Sequence, residues 1–329
     1  MKNLHLIAKK MVSSGKGILA ADESTPTCTK RFEGVGIESS EKSRNGYRST
    51  LLSTEGLEKY ISGVILYDET FHQNLQGTDK TIPNYLKQKG ILTGIKVDTG
   101  AKKMANHDNE KITEGLDGLR ERLQVYKMAG ADFAKWRAVI NIGKDIPSRG
   151  CIYANAHALA RYASLCQEND IVPVVEPEVL MDGEHHIEQC LITTEETLKI
   201  VFQELRCLNV DLKGIILKPN MVLPGKKSNQ KCDQDQIIKL TFEALINNVP
   251  DEVPGIAFLS GGQTSDDAAE RLNLLNKTYN EKPWNLTFSY GRALQKDALI
   301  KFAEKKFKET QKNLLHRAHM NHLASLGEM

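Results

Sequence analysis

The apolar residues of this chain fall into short runs that alternate with segments of helical period. A short apolar run bounded by turn residues is typical of a strand buried in a parallel sheet. The sequence predicts eight such strands, at 16–21, 62–67, 92–97, 132–139, 171–178, 214–220, 255–260 and 286–290.

Most of the predicted strands are followed by a segment in which apolar residues recur with the period of an α-helix. One helix is predicted before the first strand, at 1–14, and the others at 40–53, 114–128, 152–167, 195–208, 234–247, 266–275 and from 293 to the end of the chain. The strands begin roughly 30 to 45 residues apart, which is the spacing of a (β/α)8 TIM barrel.

We therefore expect an α/β fold in which residues 1–329 form a single (β/α)8 domain with extra N-terminal and C-terminal helices. A doubly wound open sheet is the main alternative, but it would not need eight strands. It would also usually carry a G-x-G-x-x-G turn after the first strand, and no such turn is present.

The sixth predicted strand carries an unusual polar residue. Three large aliphatic residues at 215–217 lead directly into Lys218, and Pro219 then ends the strand. A buried amine loses hydration, so its pKa falls and it can act as a nucleophile near neutral pH. The alternative is a lysine that extends to solvent from the end of its strand.

Other predicted strands also end in polar residues, spaced so that two of them share one side of the strand. In a barrel that side can be the interior, which opens on the face where the carboxyl ends of the strands meet and where active sites are built. The pairs are Asp22 and Ser24, Lys96 and Asp98, Lys135 and Arg137, Glu176 and Glu178, and Lys218 and Asn220, with Ser289 on the eighth strand.

These polar ends predict a site for covalent chemistry on a carbonyl compound. Lys135 near Lys218 would depress the pKa of Lys218 further by like-charge repulsion, and a neutral amine can form a Schiff base. Glu176 and Glu178 supply two carboxylates for general acid–base work. A structural salt-bridge cluster is the alternative, but buried ion networks are costly.

Two glycine-rich turns indicate that the substrate is an anion. Ser260-Gly261-Gly262 follows the seventh strand, and Ser289-Tyr290-Gly291-Arg292 ends the eighth. Exposed backbone N–H groups and the helix N-termini that follow attract phosphate, and a phosphate site after strands seven and eight recurs in barrels. Ser24, Thr27 and Arg31 could hold a second anion; a plain tight turn is the alternative for each glycine pair.

Composition narrows the possible partners and compartment. The net charge of +2, from 44 basic and 42 acidic side chains, gives no field that favours nucleic acid or a membrane surface. We find no membrane span and no signal peptide, and the six cysteines are scattered without a C-x-x-C pair. We expect free thiols in a reducing, cytoplasmic compartment. Lys226 and Lys227 are expected to be solvated loop charges.

The chain resembles class I fructose-bisphosphate aldolase from residue 6 to about residue 326, and several long motifs carry the resemblance. They are KGILAADEST at 16–25, GVILYDET at 63–70, GIKVD at 94–98, ADFAKWR at 131–137, ARYASLCQ at 160–167, VEPE at 175–178, LKPNMVLPG at 217–225, FLSGGQ at 258–263 and TFSYGRALQ at 287–295.

The resemblance implies reversible cleavage of fructose 1,6-bisphosphate to glycerone phosphate and glyceraldehyde 3-phosphate, without metal or other cofactor, by a homotetramer. It implies that Lys218 forms the Schiff base, that Glu176 is the main acid–base group with Glu178 beside it, that Asp22 handles the C4 hydroxyl, and that Lys135 assists imine formation.

The resemblance also implies which residues hold the substrate. Lys96 and Arg137 would help to hold its charge. The C1 phosphate would be bound by Ser260, Gly261, Gly262, Ser289, Gly291 and Arg292, and the C6 phosphate would lie near Ser24, Thr27 and Arg31.

The sequence departs from the family pattern at three places. Thr27 replaces a serine of many relatives, and Thr99 stands where relatives often have lysine. Animal relatives end in a tyrosine that assists proton transfer to the enamine, whereas the last tyrosine here is Tyr290. We expect another group to take that step, or slower turnover of the enamine.

Three alternatives to this function follow from the sequence. One is a Schiff-base aldolase for another, singly phosphorylated ketose, which would need only one anion site. Another is a scaffold or binding protein on an aldolase fold, although Lys218, Glu176 and Asp22 are all present. A metal-dependent aldolase is disfavoured because no histidine lies at a predicted strand end.

Overall fold

A computed structural model describes residues 2–329 and shows eight parallel strands closed into a barrel. This confirms the predicted fold class. Numbered in chain order together with the two strands of a separate hairpin, the strands are β1 Gly17–Ala21, β2 Ile61–Leu66, β3 Leu92–Lys96, β4 Gly100–Lys103, β5 Lys111–Glu114, β6 Phe133–Ile140, β7 Val172–Val179, β8 Ile216–Leu217, β9 Gly255–Phe258 and β10 Asn285–Tyr290. The order around the barrel is β1-β10-β9-β8-β7-β6-β3-β2, and β4 and β5 form a separate antiparallel hairpin.

Helices surround the barrel and close one end of it. They are α1 Lys2–Met11, α2 Thr25–Glu33, α3 Glu41–Leu52, α4 Asp68–Phe71, α5 Ile82–Gln88, α6 Leu119–Met128, α7 Arg149–Glu168, α8 Ile187–Cys207, α9 Gln234–Asn248, α10 Ser265–Thr278, α11 Arg292–Ala303 and α12 Phe307–Leu326. None of the helices within residues 2–329 combines the length and apolar character that crossing a bilayer requires.

Two predicted helix boundaries and one predicted helix were wrong. The helix predicted from residue 114 begins at Leu119, because 111–114 pairs with 100–103 in the β4–β5 hairpin. The helix predicted from residue 195 begins at Ile187. The terminal helix is broken into α11 and α12 at Lys305, whose φ of 58° is left-handed.

Capping side chains decide where several helices begin, and one of these caps lies beside the candidate site. The Thr264 hydroxyl accepts a hydrogen bond from the Asp267 amide and starts α10. An N-cap of this kind satisfies an amide that has no partner inside its own helix. The cap therefore fixes the end of the glycine-rich turn that follows β9.

The barrel interior has an apolar floor. Alternate strand residues point inward, and the lower ones form a buried cluster with the inward face of α1. This cluster contains Leu4, Ala8, Met11, Val12, Ile18, Ala20, Ile65, Leu92, Phe133, Val172, Val174, Ile216 and Ala257.

Glycines make room for the largest side chain of this floor. A Cβ atom placed on Gly94 would lie 2.2 Å from the ring of Phe133, and one on Gly63 would lie 2.9 Å from the same ring. The two neighbouring strands thus leave a gap that the phenyl ring of β6 fills. Close packing of this kind tolerates little added volume.

We expect Gly94→Ala to lower the free energy of unfolding by about 1–3 kcal/mol, because the new methyl group overpacks the barrel floor against Phe133. Thermal unfolding followed by circular dichroism checks this. Gly34→Ala is the control, since that glycine is exposed, has an ordinary φ of −62° and meets nothing closer than 3.4 Å. Equal midpoints for the two variants would contradict the packing argument.

Candidate active site

A cavity of about 360 Å³ opens at the carboxyl ends of the barrel strands, and every site residue predicted from the sequence lines it. The structure therefore brings together residues from across the sequence. They are Asp22, Ser24, Thr27, Arg31, Lys96, Lys135, Arg137, Glu176, Glu178, Lys218, Ser260, Gly261, Gly262, Ser289, Gly291 and Arg292.

Four charged side chains alternate in sign at the centre of the cavity. The Lys218 ammonium lies 3.3 Å from Oε1 of Glu176, and Nζ of Lys135 lies 3.0 Å from Oε2 of the same carboxylate. Lys135 also donates a hydrogen bond of 3.0 Å to Oδ2 of Asp22. Lys218 is only 3% exposed, so these ion pairs are shielded from water.

Strand register produces this arrangement. On adjacent strands, Lys96 pairs with Lys135 and Arg137 pairs with Glu176. The Lys218 amide donates to the Val175 carbonyl of β7, and Pro219, which has no N–H, follows it. Lys218 therefore stands at the end of its strand with its side chain in the barrel, as the sequence predicted.

The charges of Lys135 and Asp22 stabilise one another. Burial alone would lower the pKa of Lys135, but the carboxylates of Asp22 and Glu176 outweigh it and raise that pKa far above its ordinary value. Burial would likewise raise the pKa of Asp22, but Lys135 and Lys218 outweigh it and hold the pKa well below its usual range. At neutral pH Lys135 is a cation and Asp22 an anion.

The structure adds a carboxylate between the two predicted lysines. Like-charge repulsion between Lys135 and Lys218 was expected in addition to burial, and Glu176 turns one carboxylate oxygen toward each ammonium. The opposite charge offsets the repulsion between the two lysines. The immediate neighbour of Lys218 is therefore a proton acceptor, which sequence spacing could not show.

Glu178 has different surroundings from Glu176, although both lie on β7. Its Oε2 accepts a hydrogen bond of 2.5 Å from Nε of Arg137. Burial would lower the pKa of Arg137, but Glu178 and Glu176 outweigh it and raise that pKa. Lys96 donates a hydrogen bond of 2.6 Å to Asp98, so it too already has a carboxylate partner.

The turn after β9 has the backbone conformation that an anion site needs. Gly261 and Gly262 have φ values of 40° and 79°, which side chains rarely allow, and Gln263 closes the turn by donating to the Ser260 carbonyl. Consecutive backbone N–H groups in such a turn form a concave surface for anions.

The end of β10 forms the neighbouring wall of the cavity. The Ser289 hydroxyl is buried and has no hydrogen-bond partner among residues 2–329. Gly291 is the N-cap of α11, which begins at the exposed Arg292. An unpaired buried hydroxyl is costly unless a ligand or water completes it, and a helix N-terminus supplies further N–H donors.

A second group of residues predicted to bind an anion follows β1. Oγ of Ser24 and Oγ1 of Thr27 are 3.1 Å apart, at the start of α2. Arg31 reaches the site with its guanidinium held by Glu23. Thr27, which keeps the hydroxyl of the serine found in many relatives, thus lies beside Ser24 after β1, as predicted.

Glu23 was missed by the sequence analysis. It pairs with the buried Arg48 at 2.5 Å and accepts a hydrogen bond of 3.2 Å from Gln295, which also donates to the Ala20 carbonyl. Burial would raise the pKa of Glu23, but Arg48 and Arg31 outweigh it and lower it. No sequence signal links these residues, because they come from the loop between β1 and α2, from α3 and from α11.

Six further residues on the cavity wall were also not among the predicted ones: Ala20, Leu180, Met181, Asp182, Lys226 and Leu259. Lys226 is exposed, as expected, but it stands on the wall of the cavity instead of in open solvent. Lys227, its neighbour, is exposed and does not line this cavity.

The last tyrosine and the cysteines lie outside the cavity. The hydroxyl of Tyr290 donates to the Ala268 carbonyl of α10, so the side chain faces away from the barrel interior. All six cysteines are free thiols, as expected. Within residues 2–329 no three His, Cys, Asp or Glu side chains are grouped so as to hold a metal ion.

Known proteins are similar to this chain over nearly its whole length. The family model for fructose-bisphosphate aldolase class-I matches residues 3–329. A probable fructose-bisphosphate aldolase class 1 of Xanthomonas campestris is 51% identical over 98% of this chain and 96% of its own length. Fructose-bisphosphate aldolase 4, cytosolic, of Arabidopsis thaliana is 48% identical over 95% of this chain and 80% of its own.

A solved structure agrees with the sequence relatives. The fructose-bisphosphate aldolase of Plasmodium falciparum, crystallised with TRAP and a small molecule inhibitor, superposes with a TM-score of 0.97 at 44% identity. The match covers 99% of this chain and 95% of that one. This chain therefore belongs to the class I fructose-bisphosphate aldolase family.

Proposed function

We propose that this protein cleaves fructose 1,6-bisphosphate reversibly between C3 and C4, giving glycerone phosphate and glyceraldehyde 3-phosphate, through a Schiff base on Lys218. The observation that carries this proposal is the contact between Lys218, buried at the end of β8, and the Glu176 carboxylate, 3.3 Å away. A nucleophilic amine needs a neighbouring base that removes its proton.

The first half of the reaction forms the imine. Glu176 takes a proton from the Lys218 ammonium, and the neutral amine adds to the C2 carbonyl of the open-chain ketose. The same carboxyl then returns its proton to the carbinolamine hydroxyl, which leaves as water. Lys135, kept cationic by Asp22 and Glu176, stabilises the negative charge that develops on the C2 oxygen during the addition.

The second half breaks the carbon–carbon bond. Asp22 accepts the proton of the C4 hydroxyl, the C3–C4 electron pair moves into the iminium, and glyceraldehyde 3-phosphate leaves. The remaining enamine takes a proton at C3 from water, and Asp22 gives the proton it accepted back to water. A further water molecule then hydrolyses the imine to release glycerone phosphate and Lys218. The lowered pKa of Asp22 keeps it ionised at neutral pH, and the role of acceptor requires the ionised form.

The substrate phosphates fix the sugar over these groups. Ser260, Gly261 and Gly262, with Ser289, Gly291 and Arg292, are proposed to bind the C1 phosphate. The backbone geometry of the glycine turn and the unpaired Ser289 hydroxyl support this. Ser24, Thr27 and Arg31 are proposed to lie near the C6 phosphate, and Lys96 and Arg137 to help to hold charge. An enzyme for a singly phosphorylated ketose would need only one of these sites.

We propose that the reaction needs no metal ion or other cofactor, since the iminium itself serves as the electron sink. We further propose that residues 1–329 act as one domain in a cytoplasmic homotetramer. The free thiols and a relative named as cytosolic support the compartment. The exposed Val125 and Met128, one helical turn apart on α6, support a contact between subunits.

Borohydride reduction tests the covalent intermediate. We expect that the protein treated with fructose 1,6-bisphosphate, EDTA and borohydride carries a stable adduct, and that peptide mass mapping places it on Lys218. Lys218→Met is expected to give no adduct and to lose about a thousandfold or more in kcat, because no other group supplies the nucleophile. Lys227→Met is the matched control, since it removes an exposed lysine outside the cavity.

An adduct on another lysine would refute the role of Lys218. Activity that EDTA abolishes, with no adduct formed, would replace the Schiff-base mechanism by a metal-dependent one. Activity with fructose 1-phosphate equal to that with the bisphosphate would favour the enzyme for singly phosphorylated ketoses.

The two glutamates of β7 are expected to differ in importance. Glu176→Gln should lower kcat by about 100- to 1000-fold, because it removes the only carboxylate that touches Lys218 among the described residues. Glu178→Gln should cost less, since Glu178 is engaged by Arg137. Steady-state kinetics on both variants, with near-ultraviolet circular dichroism to verify folding, checks the order. A larger loss for Glu178→Gln would reverse the assignment.

A further inference from the structure

Lys226 lies against the glycine-rich turn after β9, although its sequence position suggested a simple surface charge. A Cβ atom placed on Gly262 would lie 2.6 Å from both Cε and Nζ of Lys226. The lysine therefore crosses directly over the turn, where the missing side chain of Gly262 leaves room for it. Its ammonium group stands beside the backbone that is proposed to bind phosphate.

The loop after β7 holds Lys226 in this position. The Lys226 amide donates to the Met181 carbonyl at 2.8 Å, and its ammonium donates to Oδ1 of Asp182, also at 2.8 Å. Nζ thus has a partner that keeps it at the cavity wall. The side chains of Lys226 and Asp182 are 43% and 65% exposed, so water can solvate either one when they separate.

Barrel order places this lysine opposite Arg292. Strand β9 lies between β8 and β10, so the glycine turn after β9 is flanked by the loop after β8, which carries Lys226, and by the end of β10, which leads into Arg292. A phosphate bound over the turn would have one cation on each side. The C1 phosphate site predicted from the sequence contained only one of these two cations, Arg292.

We propose that Lys226 is a further phosphate-binding residue, which exchanges Asp182 for the phosphate held at the Gly261–Gly262 turn. This rests on the proposed function and adds a ligand to the same site. A phosphate dianion attracts the ammonium more strongly than a single exposed carboxylate does. Asp182 meanwhile returns to water, so the exchange leaves no buried charge unpaired.

The role of Asp182 follows from the same contacts. It is a positioning residue, because it holds the ammonium near the turn in the free protein and competes with phosphate for it. Lys227 offers a natural comparison, since it follows Lys226 directly, carries the same charge and does not line the cavity.

The first test compares Lys226→Met with Lys227→Met. We expect Lys226→Met to raise KM for fructose 1,6-bisphosphate about fivefold at low ionic strength, the effect of losing one partly exposed charge contact. The kcat should stay near that of the unmodified protein, because Lys226 does not touch the Lys218–Glu176 pair. Lys227→Met should leave both constants unchanged, and Lys226→Arg should restore most of the affinity. Equal KM values for the two methionine variants would overturn the proposal.

A double-mutant cycle tests the exchange with Asp182. Asp182→Asn should lower KM when Lys226 is present, because the ammonium no longer has a competing carboxylate. It should have no effect in the Lys226→Met background, since no ammonium group is then left for the carboxylate and the phosphate to compete for. The same decrease of KM in both backgrounds would show that the negative charge of Asp182 repels the substrate independently of Lys226, and it would refute the exchange.

A binding measurement separates this proposal from the proposed reaction. Inorganic phosphate should raise the thermal midpoint of the unmodified protein and of Lys227→Met more than that of Lys226→Met. If the protein bound phosphate in this way but failed to cleave fructose 1,6-bisphosphate, the proposed function would be wrong and the role of Lys226 would stand. Equal phosphate-induced shifts in all three proteins would refute the role of Lys226 whatever the activity.

Discussion

The site depends on one carboxylate, Glu176, which lies between two buried ammonium groups. An unpaired charge inside a barrel would cost several kcal/mol. The series Lys218, Glu176, Lys135 and Asp22 alternates in sign, so each charge has an opposite neighbour. The contact that makes burial of Lys218 tolerable also sets a proton acceptor beside it. Stability and chemistry are therefore requirements on the same four side chains. Among the described residues, replacing Glu176 leaves Lys218 without a carboxylate partner, and replacing Lys135 leaves Asp22 without a cationic one.

The apolar floor beneath this cluster is tied to it by strand geometry. Phe133 lies two residues before Lys135 on β6, and Ile216 lies two residues before Lys218 at the end of β8. Inward-facing positions recur every second residue. A strand that buries one inward-facing side chain in the floor therefore presents its next inward-facing side chain to the cavity. Helix α1 closes the barrel below the floor. Water reaches the charges from one side only, which strengthens their interactions.

Period and parity in the sequence were enough to predict the barrel and most of the strand-end residues that meet in its cavity, because both are properties of consecutive residues on one strand. Asp98 and Asn220, which the same parity selected, are buried but do not line the cavity. The β4–β5 hairpin was missed because its two segments, 100–103 and 111–114, are short, rich in charge and only half exposed, and because its register depends on pairing across a loop. The Glu23–Arg48 pair and the position of Lys226 against Gly262 were missed for a related reason. They join loops and helices whose contact exists only after the barrel has closed.

Most cations that face the substrate already have carboxylate partners, so binding a phosphate is an exchange of anions. The cost of the exchange depends on what the displaced carboxylate has left. If Arg31 turned to a phosphate, Glu23 would keep the buried Arg48 as its partner. If Lys226 turned, Asp182 is exposed enough for water to replace the ammonium. In both cases the released carboxylate would still have a partner, which is Arg48 for Glu23 and water for Asp182. The free protein can therefore hold its cations in place without opposing their transfer to the substrate, which is the physical basis of a preorganised site.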